Sequence, residues 1–128
     1  MATTTLDSAA GYAQTIASGG HALTADEAVA HGGSDTGPSP YGLLLAALGA
    51  CTSITLRMYA DRKGWALGDI HVALTHEKAA DGSDHIERQV SFGAPLTDEQ
   101  RARLAEIAEK TPVTRTVKAG AAIRTQLR

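Results

Sequence analysis

Cys51 is the one side chain in this sequence that can act as a strong nucleophile. A thiolate can attack oxygen or sulfur, and its reactivity is set by the charges and donors around it. The competing reading is an inert small hydrophobe, because Cys51 follows Leu43-Leu44-Leu45-Ala46-Ala47-Leu48-Gly49-Ala50 and cysteines in such company are usually structural. The five histidines raise metal binding, but His71 and His76 lie an odd number of residues apart on a strand and face opposite sides. No metal is expected. No cofactor is expected either, since neither a G-x-G-x-x-G nor a P-loop pattern occurs. His31-Gly32-Gly33 resembles the oxyanion loop of some esterases, yet the G-x-S-x-G elbow that hydrolysis would need is missing.

A thiolate needs a cation or donors nearby. Arg88 alternates with Ile86, Val90 and Phe92, so it shares their strand face, where a guanidinium needs a partner. It is the candidate thiolate partner, the alternative being an edge residue that reaches solvent. Arg57 falls about 120° around the helix from Cys51 and reads as structural. The dipole of the thiol's own helix does not help, because Cys51 lies about three turns in and the effect fades within the first turn.

The elements that position these residues follow from local signals. Ser39-Pro40 reads as an N-cap with proline at the first helical position, and Gly64 as the residue that closes the helix, which predicts a helix over Pro40 to Lys63. From Leu43 to Cys51 almost every position is apolar or small, so this half should be buried all round, in a dimer interface or the domain centre. Upstream, Gly11 to Ile16 and His21 to Ala30 suggest a hairpin around Ser18-Gly19-Gly20, and His31 to Pro38 a loop. Downstream, the alternating runs around Ile70 to Leu74 and Ile86 to Phe92 flank Asp81-Gly82-Ser83-Asp84 as a second hairpin. Thr97 and Gln100 form a capping-box pattern that opens an amphipathic helix, and Ala122 to Leu127 leaves room for one short strand. The fold class is α+β rather than a βαβ alternation.

With 128 residues the chain fits one domain, 1–128, with 1–10 expected to be a flexible N-terminus. Its net charge of -2, with both signs mixed, disfavours nucleic acid and anionic membranes as partners. Met1 to Ala10 lack the charged and apolar regions of a secretion signal, and the run Leu43 to Leu48 falls short of the ~20 residues that span a bilayer. A single cysteine cannot form an intrachain disulfide. These features predict a soluble, cytoplasmic protein.

Gly37-Pro38-Ser39-Pro40-Tyr41-Gly42-Leu43-Leu44-Leu45-Ala46-Ala47-Leu48-Gly49-Ala50-Cys51-Thr52 resembles the thiol-helix signature of the OsmC/Ohr superfamily. The similarity continues through Leu56 to Trp65, His21 to Glu27, Ile86-Glu87-Arg88 and Ile107 to Lys110. It implies an OsmC-like α+β fold, with an antiparallel sheet and a long buried central helix carrying the cysteine, in an intertwined homodimer. It also implies reduction of small organic hydroperoxides, with Cys51 in the peroxidatic position. A second cysteine is expected in a Lys-Cys-Pro-Val-His pattern, where this chain has Lys110-Thr111-Pro112-Val113-Thr114. Thr111 occupies the resolving position and cannot form a sulfur bond, so an external thiol reductant is required. Gly42 stands where relatives place a glutamate, and His31 to Pro38 contains no arginine. Two readings remain: a weak one-cysteine hydroperoxide reductase, or a non-catalytic homodimer that binds a small hydrophobic molecule at its interface.

Overall fold

The computed structural model describes Met1–Arg128 and divides into two compact units, Met1–Ala46 and Ala47–Arg128. The first unit holds an antiparallel meander of β1 (Thr4–Asp7), β2 (Gln14–Ser18) and β3 (His21–Ala25). The expected hairpin turn is present at Gly19-Gly20, with Ser18 paired to His21, although β3 stops at Ala25 rather than running to Ala30. β1 lies within 1–10 and pairs with β2 from Thr4↔Ser18 to Asp7↔Thr15.

β3 stops because Asp26 turns inward and organises the following loop. Its carboxylate, in a residue only 2% exposed, accepts the N–H groups of Glu27, Ser34 and Thr36 and the Thr36 hydroxyl, while its own N–H donates to the Pro38 carbonyl at 3.1 Å. A buried carboxylate is tolerated only with donors of this number. They hold the Asp26 carboxyl below its ordinary range, the Thr36 hydroxyl contributing most and burial opposing.

Helix α1 spans Pro40–Lys63, as the capping signals predict. The Ser39 hydroxyl accepts the Gly42 N–H at 3.1 Å. At the other end Gly64, at φ +71, donates to the Asp61 carbonyl and Trp65 donates to the Ala60 carbonyl, the paired bonds of a left-handed helix stop. The Tyr59 and Trp65 rings meet edge-on at 5.6 Å and seal that end.

In the second unit β4 (Ile70–Lys78) and β5 (Asp84–Phe92) form a hairpin with Ile70 opposite Phe92, Val72 opposite Val90 and Leu74 opposite Arg88. α2 (Asp98–Ala108) opens with the anticipated Thr97–Gln100 capping box. The core is Leu56, Ala60, Leu67, Leu104 and Ala108, with Val90 and Phe92 packed against it. Gly49 lets α1 approach β4 closely: a Cβ there would lie 2.9 Å from a Leu74 methyl.

One expectation is corrected, and one element was not anticipated. Ala122 to Leu127 is not a strand; the segment lies outside any element, with Ile123 87% and Leu127 97% exposed, and its backbone pairs with none of the five strands. A third helix, α3 (Pro112–Ala119), precedes it. Within a single chain α1 is buried along one stripe. Leu48, Thr52, Leu56 and Ala60 form the buried stripe, whereas Ala47, Ala50, Ile54 and Met58 are exposed. By length and composition alone α1 is long and apolar enough to cross a bilayer, an 18-residue window of it having a mean hydropathy of 1.5.

Candidate thiol site

Cys51 is half-buried on α1, one residue before the buried Thr52. Its sulfur has two polar contacts. The Val113 backbone N–H donates to Sγ at 3.4 Å, and the Thr55 hydroxyl lies one turn along α1 at 3.9 Å.

The Val113 contact follows from how α3 begins. A helix start leaves its first N–H groups without intrahelical partners. Here Pro112, at the first position, has none to satisfy. The Thr114 N–H goes to the Thr111 hydroxyl, and Arg115 starts the helical ladder by donating to the Thr111 carbonyl at 3.0 Å. The remaining N–H, that of Val113, is taken by Cys51. The sulfur therefore completes the cap of α3, and the positive end of that helix faces it.

Arg88 lies on the inward face of β5, as its alternation predicts, but its bonds go elsewhere than to the sulfur. Nη1 donates to the hydroxyls of Thr52 at 2.9 Å and Thr114 at 2.8 Å, and Nη2 donates to the Ala108 carbonyl at 3.0 Å. Glu109 adds a carboxylate 3.6 Å from Nη2 and also pairs with Lys118. The Lys118 ammonium holds the Glu109 carboxyl below its usual range, Arg88 adding a smaller effect in the same direction. Thus Arg88 caps the C-terminal carbonyl of α2 while joining α1, through Thr52, to α3, through Thr114.

Thr111 and Thr114 are both buried, with hydroxyls 2.6 Å apart. Thr52 donates to the Leu48 carbonyl at 2.7 Å while accepting from Arg88, so both lobes of its hydroxyl are used. Cys51, Thr111 and Arg88 stand out in the sequence, whereas the Val113 N–H and the contacts of Thr52 and Glu109 do not, and Arg88 is not in contact with the sulfur as its candidate role requires. One signal was available. Thr111-Pro112 repeats the cap-then-proline pattern of Ser39-Pro40 and marks the start of α3 by the same rule.

A family profile described as OsmC-like protein matches residues 32–126, which includes Cys51, Arg88 and the α3 cap. The chain belongs to the OsmC-like family. Among solved structures, this OsmC-like protein resembles the OsmC-like protein of Mycoplasma pneumoniae at TM-score 0.74 and 19% identity, covering 92% of this chain and 86% of that one. The organic hydroperoxide resistance protein OsmC of Legionella pneumophila matches at TM-score 0.69 and 14% identity, covering 92% and 89%. The organic hydroperoxide resistance protein OhrB of Bacillus subtilis matches at TM-score 0.63 and 24% identity, covering 92% and 90%. At these identities the likeness establishes the shared fold. No curated protein matches the sequence.

Proposed function

We propose that this OsmC-like protein is a thiol-dependent organic hydroperoxide reductase that works through Cys51 alone, as a cytoplasmic homodimer. The observation that supports this best is the Val113 N–H at the start of α3 directed at Cys51 Sγ. In the proposed cycle the thiolate attacks the distal peroxide oxygen. The S–O bond forms as the O–O bond breaks, and the departing alkoxide takes a proton to leave as an alcohol. An external thiol then attacks the Cys51 sulfenic acid, releasing water and leaving a mixed disulfide. A second external thiol displaces Cys51 as a thiol and leaves as an external disulfide. Thr111 takes no sulfur role.

The homodimer reading is supported by the apolar surface that one chain leaves uncovered. Ala47, Ala50, Ile54 and Met58 are exposed on α1 around Cys51, and the alternating C-terminal segment exposes Ile123 and Leu127. A second copy is the occupant that would bury α1 as its composition requires. Sedimentation tests this directly; a folded monomer at micromolar concentration counts against it.

The chemical reading is tested by intact-mass spectrometry after stoichiometric cumene hydroperoxide, with a sulfenic-acid trap present and Cys51→Ser as control. A rapid adduct that depends on Cys51 is expected. A thiol that stays unmodified refutes the peroxidase and leaves the ligand-binding homodimer.

A further inference from the structure

Between β5 and α2 lies a cavity of about 470 Å³ that none of Cys51, Thr111 or Val113 lines. Its floor is apolar: Leu56, Val90, Phe92 and Leu104, members or neighbours of the core. Ala102 and Ala105 of α2 form an exposed wall with little bulk. The volume is within the ~300–1,000 Å³ typical of small-molecule sites.

Its charged groups are unequal. Arg88 and Arg101 both line it, whereas Glu109 is the one carboxylate. Arg101 has no ion-pair partner. Glu109 is shared, because it also pairs with Lys118, and its side chain is 58% exposed, so its contact with Arg88 is the looser at 3.6 Å. The Arg88 guanidinium, 12% exposed, is held rigidly by its three hydrogen bonds. A fixed guanidinium with a movable internal carboxylate, beside a second unpaired guanidinium and above an apolar floor, is matched by an anion with an alkyl body.

We propose that the β5–α2 cavity binds a small amphipathic carboxylate, whose head displaces Glu109 from Arg88 and engages Arg101 while its alkyl chain covers Val90 and Phe92. The site is separate from the thiol chemistry, so Cys51→Ser binds the same ligand equally well. Glu109 acts as an internal competitor, and its departure leaves the pair with Lys118 intact.

Titration calorimetry of the full chain with octanoate tests the site, with octanol as the uncharged probe. Octanoate is expected to bind once per chain and octanol about tenfold more weakly. Arg101→Gln weakens octanoate binding several-fold, whereas Glu109→Gln tightens it several-fold. Ala105→Phe fills the cavity from an exposed position and abolishes binding; its circular dichroism spectrum matches the parent. Absence of binding, equal affinity for octanoate and octanol, weaker binding by Glu109→Gln, or binding that survives in folded Ala105→Phe each overturns the proposal.

Discussion

Replacing Arg88 with methionine removes the three hydrogen bonds that tie α1, α2 and α3 together, while the methionine stem retains most of the packing. The losses are unequal. Thr52 keeps its bond to the Leu48 carbonyl and Thr114 keeps its 2.6 Å contact with Thr111, so neither hydroxyl becomes an orphan. The Ala108 carbonyl fares worse, because only the Thr114 hydroxyl at 3.5 Å remains to it. Hydrogen bonds to a charged group contribute about 1.5–3 kcal/mol each, and releasing the guanidinium from its desolvated position offsets part of their sum. The expected loss is therefore about 3–5 kcal/mol. For a chain of this length that lowers Tm by roughly 10–20 °C. Differential scanning calorimetry at one fixed protein concentration measures it, since any dimerisation adds a concentration term. Arg88→Lys should recover only a minority of the loss, as one ammonium cannot reproduce the forked geometry. A methionine variant within about 1 kcal/mol of the parent would refute this account of the network.

Thr111→Cys places a second thiol at the cap of α3, whose next free N–H already contacts Cys51; peroxide treatment should then consume both thiols as an intramolecular disulfide, and a persisting trapped sulfenic acid would show the geometry to be wrong. Gly42→Glu should stabilise by about 1 kcal/mol, by restoring helix propensity and completing a capping box with Ser39. A Cβ at Gly42 lies 3.3 Å from Ser39 Oγ, so the cap hydroxyl must shift slightly to accommodate it, and a lower urea midpoint would contradict the prediction. The Asp26 carboxyl is held below its unfolded value, so its contribution to stability is present above the ordinary carboxylate range and is lost as pH falls through its folded pKa. Asp26→Asn should flatten the acid limb of a urea-midpoint profile between neutral pH and pH ~3; an unchanged slope would assign that limb to other carboxylates.

The parts legible in the sequence are those whose signal is local. Ser39-Pro40 and Gly64 bound α1 because caps depend on a few adjacent residues, and the Thr97–Gln100 pair opened α2 for the same reason. Arg88 could be placed on the inward face of β5 by alternation alone. β1 escaped notice because all four of its residues are exposed, which leaves no alternation of buried and solvated positions to detect. α3 is short and rich in Val and Thr, residues with poor helix propensity, and its formation rests on the Thr111 cap and a distant sulfur. Ala122 to Leu127 has strand-like alternation, but pairing needs a second strand, and a local pattern carries no information on whether one is within reach. At the site, the thiol and the arginine have recognisable identities. The donor that reaches Cys51 belongs to the backbone, which is the same at every residue except proline.

That donor makes Cys51 part of the secondary structure as well as its possible reactant. Any chemistry at sulfur rewrites the first turn of α3: an adduct, an added oxygen or a mixed disulfide changes what the Val113 amide is offered. The amide proton of Val113 is thus a built-in reporter of the sulfur's oxidation state, readable by its NMR shift or exchange rate without any label. The same link ranks the variants of position 51. Serine still offers the amide an acceptor, whereas alanine strands it, so the two replacements abolish the same reactivity while leaving helices of different integrity.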